Sequence, residues 1–238
     1  MSADATQRFF SRQGNDRADK YFFAAMCVLI LVTVFAGFAR SYYLAGVFHA
    51  HLPSRLVHLH GAVFTCWILL LVTQVTLVST GRVNWHMRLG IAGMFLAPLL
   101  VVVGYCTLFA AVHRNFDGKA TPVIFAGDVL QLIAFSFLIV LGFRFRRDVP
   151  AHKRLMLLAT IAILGPAVAR LHLTALYQVT LAIDGYLIFL LLYDLWALRR
   201  IHRATIWGSL SILALETIVF PLGHSAFWQN FTMWIQSR

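Results

Sequence analysis

Residues 58–89 read HLHGAVFTCWILLLVTQVTLVSTGRVNWHMRL, and this stretch constrains the fold more than any other. A helix needs about 20 consecutive apolar residues to cross the hydrocarbon core of a bilayer. The stretch supplies them between a histidine pair, His58 and His60, and a basic turn that carries His86. Runs on the same scale recur at 21–39, 58–79, 88–112, 122–143, 154–177, 180–198 and 204–222. The sequence therefore predicts an all-α integral membrane protein with seven transmembrane helices. Composition agrees: 60% of residues are hydrophobic and 12% charged, where soluble domains average about 45–50% and about 25%. The expected division is a polar cytoplasmic tail over 1–20, a membrane domain over 21–222 and an interfacial segment over 223–238. Gly37-Phe38-Ala39 could pass for a signal cleavage site, but the spanning length of 21–39 reads better as an uncleaved first span.

The net charge of +11 would suit a nucleic-acid partner in a polar chain. Here arginines at span ends are the better reading, because they set topology and meet anionic lipid, and no nucleic-acid partner is expected. The tail and the turns at 80–88, 144–154 and 199–203 hold most of the Lys and Arg. The positive-inside rule puts that side, with the N-terminus, in the cytoplasm and the C-terminus outside. Phe227, Phe231 and Trp234 recur at helical spacing, which predicts a final segment lying in the outer head-group region. Cys27, Cys66 and Cys106 lie within apolar runs and form no CxxC pair, so they read as small core residues.

The basic turns repeat. His86-Met87-Arg88-Leu89 and His152-Lys153-Arg154-Leu155 each place His-x-Arg-Leu at the cytoplasmic start of a span. Two spans separate them, so the copies share one orientation and imply a pseudo-two-fold axis along the membrane normal. Spans two to five would then form a four-helix bundle with a parallel duplication, His86 and His152 being symmetry mates. Shared topology pressure explains so short a match equally well.

Ionisable groups at membrane depth usually face a bundle interior or a cavity. His60, Trp67 and Gln74 follow one another at seven-residue intervals, which places them on one face of the second span. A helix seam, with Gln74 bonded to a neighbour, accounts for Trp67 and Gln74. Gly165-Pro166 predicts a kink in the fifth span, followed by Arg170 and His172. If that helix runs straight, Arg170 shares a face with His152. Asp128, Asp184 and Glu216 are the acids at comparable depth, with Gln131 one turn from Asp128. Together His58, His60, Asp128, Arg170, His172, Asp184 and Glu216 predict an outer polar cluster; the competing reading is one Arg–Asp structural pair with satisfied histidines. His49 and His51 have a spacing that can chelate a metal but is common on surfaces. Asp194, near Arg199 and Arg200, reads as an ordinary inner-surface ion pair.

Three chemistries fit. A haem b site needs imidazoles from two facing helices, which His86 with His152, or His60 with His172, would supply as cofactor-binding residues. A zinc site could draw on His58, His60, His172 and Asp128. A small transporter could line its path with Arg170 and the acids. A retinal protein is set aside, because residues 204–222 contain no lysine.

The segments HGAVFTCWILLLVTQ, GRVNWHMRLG and HKRLMLLATI resemble a group of bacterial multi-pass membrane proteins. They are loosely similar to membrane proteins associated with haem-copper oxidase assembly, which carry a comparable His-Arg-Leu-Met turn, and the paired histidines are distantly similar to two-haem transmembrane cytochromes b. The resemblance covers spans two to five. It implies a bacterial inner-membrane location with a periplasmic C-terminus, a role in transmembrane electron transfer or oxidase assembly, and respiratory-chain membrane proteins or quinone as partners beside the lipid bilayer. Two departures stand against the cytochrome pattern: the inner histidines lie at span edges, and the outer mate of His60 in the repeat falls near Asp128.

Overall fold

The structure, a computed structural model, describes residues 3–50, 54–114, 121–171 and 176–238. Among them the elements are α1 (Ala3–Phe38), a π turn (Ala39–Tyr43), α2 (Arg55–Ser79), α3 (Val83–His113), α4 (Pro122–Arg144), α5 (Val149–Ala162), α6 (Gly165–Ala169), α7 (Leu176–Leu198), α8 (Arg203–Gly223) and α9 (Ala226–Gln236). Among the described residues the regular structure is all helical, as in an α-helical membrane protein. Six helices among them are long and apolar enough to cross a bilayer: Arg17–Tyr43, Arg55–Ser79, Val83–His113, Pro122–Arg144, Tyr177–Leu198 and Arg203–Gly223. Residues 3–20, expected to be a polar tail, continue α1.

Several helix starts are set by a side chain that accepts an otherwise orphaned N–H. Thr121 caps α4 by accepting from Ile124 N–H, Asp148 caps α5 through Ala151 N–H, His202 caps α8 through Ala204 N–H, and Ser225 caps α9 through Trp228 N–H. The expected fifth span is the exception to a continuous rod. It breaks after Ala162, and α6 restarts at Gly165-Pro166. Proline suits the first turn of a helix but has no N–H to give the carbonyl four residues back. The break is tolerated because α5 has almost no outward face: nine of its fourteen residues are buried. Backbone that leaves regular helix at membrane depth survives only when protein surrounds it. The kink was foreseen; that it would divide the span into two short helices was not. Arg170 therefore does not sit on a straight continuation of the helix that carries His152.

α4 is the hub, packed on α3, α5 and α8, while α1 packs on α2 and α6. Ile30, Phe135, Leu138, Leu158, Ile161 and Leu190 are fully buried where these helices meet. Outward faces carry Phe95, Val102, Val140, Leu181 and Phe189, all exposed, as lipid contact requires. Buried side-chain bonds fasten helices that are far apart in sequence. Trp67 Nε1 donates to Thr160 Oγ1 at 3.2 Å, joining α2 to α5, and the hydroxyls of Thr33 and Tyr186 join α1 to α7. Gly37 lets α1 touch the backbone at Ala167, where any side chain would collide; close approach at a small residue is a common device of membrane helices.

The turns α2–α3, α4–α5 and α7–α8 meet at one end, here called the basic end. The far end carries the π turn, the start of α4 and α9. There Trp228 Nε1 donates to the Pro122 carbonyl at 2.9 Å and His113 Nδ1 bonds the Ile235 carbonyl at 3.1 Å. The C-terminal segment is helical as expected, with Trp228, Thr232 and Ile235 buried and Phe227 and Trp234 exposed.

Candidate functional site

At the basic end the two His-x-Arg-Leu turns come together. His86 lies in the first turn of α3 and His152 in the first turn of α5, and their rings sit 6.3 Å apart between centroids, at 80° to one another. His152 Nδ1 bonds the Gly142 carbonyl at the end of α4, at 2.8 Å. A neutral imidazole has one N–H, so donating from Nδ1 leaves Nε2 as an acceptor. His86 lies beside the Gln74 backbone, and its buried Nδ1 has no hydrogen-bond partner. Gln74 Oε1, also buried, has none either, although a helix-seam bond was expected there. The site thus draws on α2, α3, α4 and α5, all at one level.

The two arginines of the repeat part company. Arg88 is exposed and lies over the Trp85 ring, 5.5 Å from its centroid. Arg154 is 1% exposed and pairs with Asp194 of α7, itself fully buried. Nε and Nη2 of Arg154 both donate to this carboxylate. Asp194 also accepts from His202 N–H at 3.0 Å and from Thr205 Oγ1 at 2.6 Å, and Arg154 Nη1 reaches the Pro150 carbonyl at 3.0 Å. Burial, and then Arg154, hold the His202 imidazole below its ordinary range, which keeps Nδ1 free to cap α8. Asp194 is therefore not the surface pair with Arg199 and Arg200 that its position suggests; it joins α5, α7 and α8. The sequence offered one signal: an acid inside an apolar run needs a cation from elsewhere. Beside it, Lys153 pairs with Asp19 of α1, and Asp19 accepts from Tyr193 Oη at 2.8 Å.

Toward the far end, the single outer cluster divides into two. In the first part the Arg170 guanidinium lies 4.6 Å from the Phe38 ring centroid and donates to the Pro166 carbonyl at 2.6 Å. Its charge acts on Asp128 and on His60. His60 stacks near Phe64, at 4.1 Å between centroids, and its buried Nδ1 is unpartnered. His58 faces the Tyr42 ring instead, because residues two apart on a helix point in nearly opposite directions. In the second part Asp184 acts on Glu216. His60, Trp67 and Gln74 do follow one helical stripe, but along it they meet Phe64, α5 and the basic-end histidines in turn.

Among the described residues, no three His, Cys, Asp or Glu side chains converge to hold a metal ion. His172, expected as a zinc ligand and as the haem partner of His60, lies outside the described residues, as does His51 of the outer-loop pair. No family model, no curated protein and no solved structure matches this chain.

Proposed function

We propose that the protein binds haem b at its basic end, where His86 and His152 would hold it, and carries electrons through the membrane. The spacing of the two rings carries this reading. Metal–imidazole bonds of about 2.0–2.1 Å put the centroids of two imidazoles sharing one metal on the order of 6 Å apart, and these stand at 6.3 Å. His152 is already held as a ligating histidine usually is, one nitrogen bonded to a main-chain carbonyl and the other free. His86 has a nitrogen with no other use. Arg82 and Arg88 stand exposed beside the pair, where they would meet anionic propionates. When bound, haem b supplies a one-electron couple tuned by its axial ligands and their surroundings. The chain's part is to hold two imidazoles on helices fixed by the Asp194 centre and the Trp67–Thr160 bond.

In this reading α5 and α6 together make the seventh crossing, α2–α5 form a duplicated bundle, and the basic end faces the cytoplasm of a bacterial inner membrane, the C-terminus being periplasmic. A quinone or a respiratory-chain membrane protein would be the redox partner, in electron transfer or in oxidase assembly.

The test is the absorbance of protein purified from haem-replete cells. A Soret band with sharp reduced α bands is expected. His86→Ala and His152→Ala should each abolish it with helical circular dichroism unchanged, and His60→Ala should keep it. A colourless wild-type protein would falsify the proposal. Loss of the band in His60→Ala alone would move the site to the far end.

A further inference from the structure

A cavity of about 70 Å3 lies between α4, α7, α8 and the α5–α6 break. Gln131, Ala162, Gly165, Thr180 and Glu216 contribute to its lining, and the rest is apolar. It lies deep in the membrane-spanning layer: Glu216 stands thirteen residues into α8, about 20 Å along the axis from the basic end. No lysine, arginine or histidine lines it.

Three side-chain oxygens in and beside its lining lack donors among the described residues. Gln131 Oε1 and Glu216 Oε2 are buried without a hydrogen-bond partner, and so is Asp184 Oδ1, whose carboxyl acts on Glu216 from α7. The helix break adds another acceptor at the same place. Pro166 has no N–H to give the Ala162 carbonyl, and Ala162 lines the cavity. Gln131 is held there by Gly165, at which a side chain would overlap its amide. Oxygens of an acid, an amide and an unwound main chain border one small space, beside the Thr180 hydroxyl and the Gln131 amide N–H donors. A bare carboxylate in such a place is strongly disfavoured, and discontinuous helices are a recurring way to present carbonyls to coupling ions. One water needs at least about 10–15 Å3 of such space, so the cavity suits a small cation with a few waters and is too small for a quinone ring or an organic substrate.

We propose that this cavity is a membrane-embedded site for one monovalent cation, a proton or a sodium ion, held at Glu216 with Gln131 and the Ala162 carbonyl. Asp184 is the titratable group facing Glu216 from α7. On α4, Asp128 stands one turn from Gln131 and feels the Arg170 charge, and the broken α5–α6 pair contributes no ionisable side chain to the lining. The site is separate from the basic-end histidines and does not depend on haem.

Dicyclohexylcarbodiimide tests it on the purified full-length protein. The reagent takes the proton of a water-shielded carboxylic acid onto one nitrogen, the carboxylate oxygen bonds its central carbon, and the adduct rearranges to a stable N-acylurea. Mass spectrometry of peptides should find that adduct on Glu216. It should form at least about tenfold faster at pH 6 than at pH 9, as expected for a reagent that needs the protonated acid. Sodium chloride, compared with choline chloride at fixed pH, should slow labelling if the occupant is sodium and leave it unchanged if the occupant is a proton. Glu216→Gln should remove the adduct. No adduct on Glu216, or one formed at the same rate at both pH values, would overturn the proposal. Both readouts are independent of any Soret band.

Discussion

Asp194 and Glu216 are both carboxylates on helices long and apolar enough to cross a bilayer, and their surroundings are opposite. Asp194 meets Arg154, the His202 N–H and the Thr205 hydroxyl, with no exposed surface. Glu216 stands beside a cavity, faces another acid and leaves Oε2 unpaired. A buried charge whose every lone pair is met is fixed in place and unavailable for chemistry. A buried acid with open valences is available, at some cost in stability. The contrast makes Asp194 part of the architecture and leaves Glu216 as the acid on which the proposed cation site depends.

Removing Asp194 should have the largest effect. Asp194→Ala leaves the Arg154 guanidinium buried and unpaired, a loss of about 3–5 kcal/mol, and thermal unfolding in detergent should show it as a sharply lower midpoint. A change smaller than that of an ordinary surface substitution would erase the contrast. Thr205→Val removes one of the donors and leaves the ion pair, so about 1 kcal/mol is expected from the same measurement. Glu216→Gln comes last. It replaces the cation-holding carboxyl with a neutral amide of the same shape, and stability should stay within about 0.5 kcal/mol of wild type or rise. A loss as large as that of Asp194→Ala would mean that Glu216 is a structural group.

The histidine pair lies between these extremes. The His-x-Arg-Leu repeat points to His86 and His152 as mates, and their rings lie 6.3 Å apart between centroids. The same repeat predicted nothing of the difference between Arg88 and Arg154, because identical motifs meet different neighbours. Arg154 turns toward α7 and α8, where Asp194 waits, while Arg88 lies on an exposed Trp85. The outer cluster differs for a related reason. Depth along a helix is legible in the sequence, but azimuth relative to other helices is not, so groups at one level need not share one site. Arg170 and Asp128 form one set, Asp184 and Glu216 another.

By itself the sequence determined the medium, the helical class and the uneven distribution of charge. Those follow from local quantities: apolar run length, and arginines that cannot stay in hydrocarbon. Tertiary structure alone decided that α5 is central and so can break at Gly165-Pro166, that Asp194 belongs to Arg154, and that Gln131 and Glu216 share a cavity. Each of these depends on which helices are neighbours, and the packing of faces from distant parts of the chain, rather than any local preference, sets that.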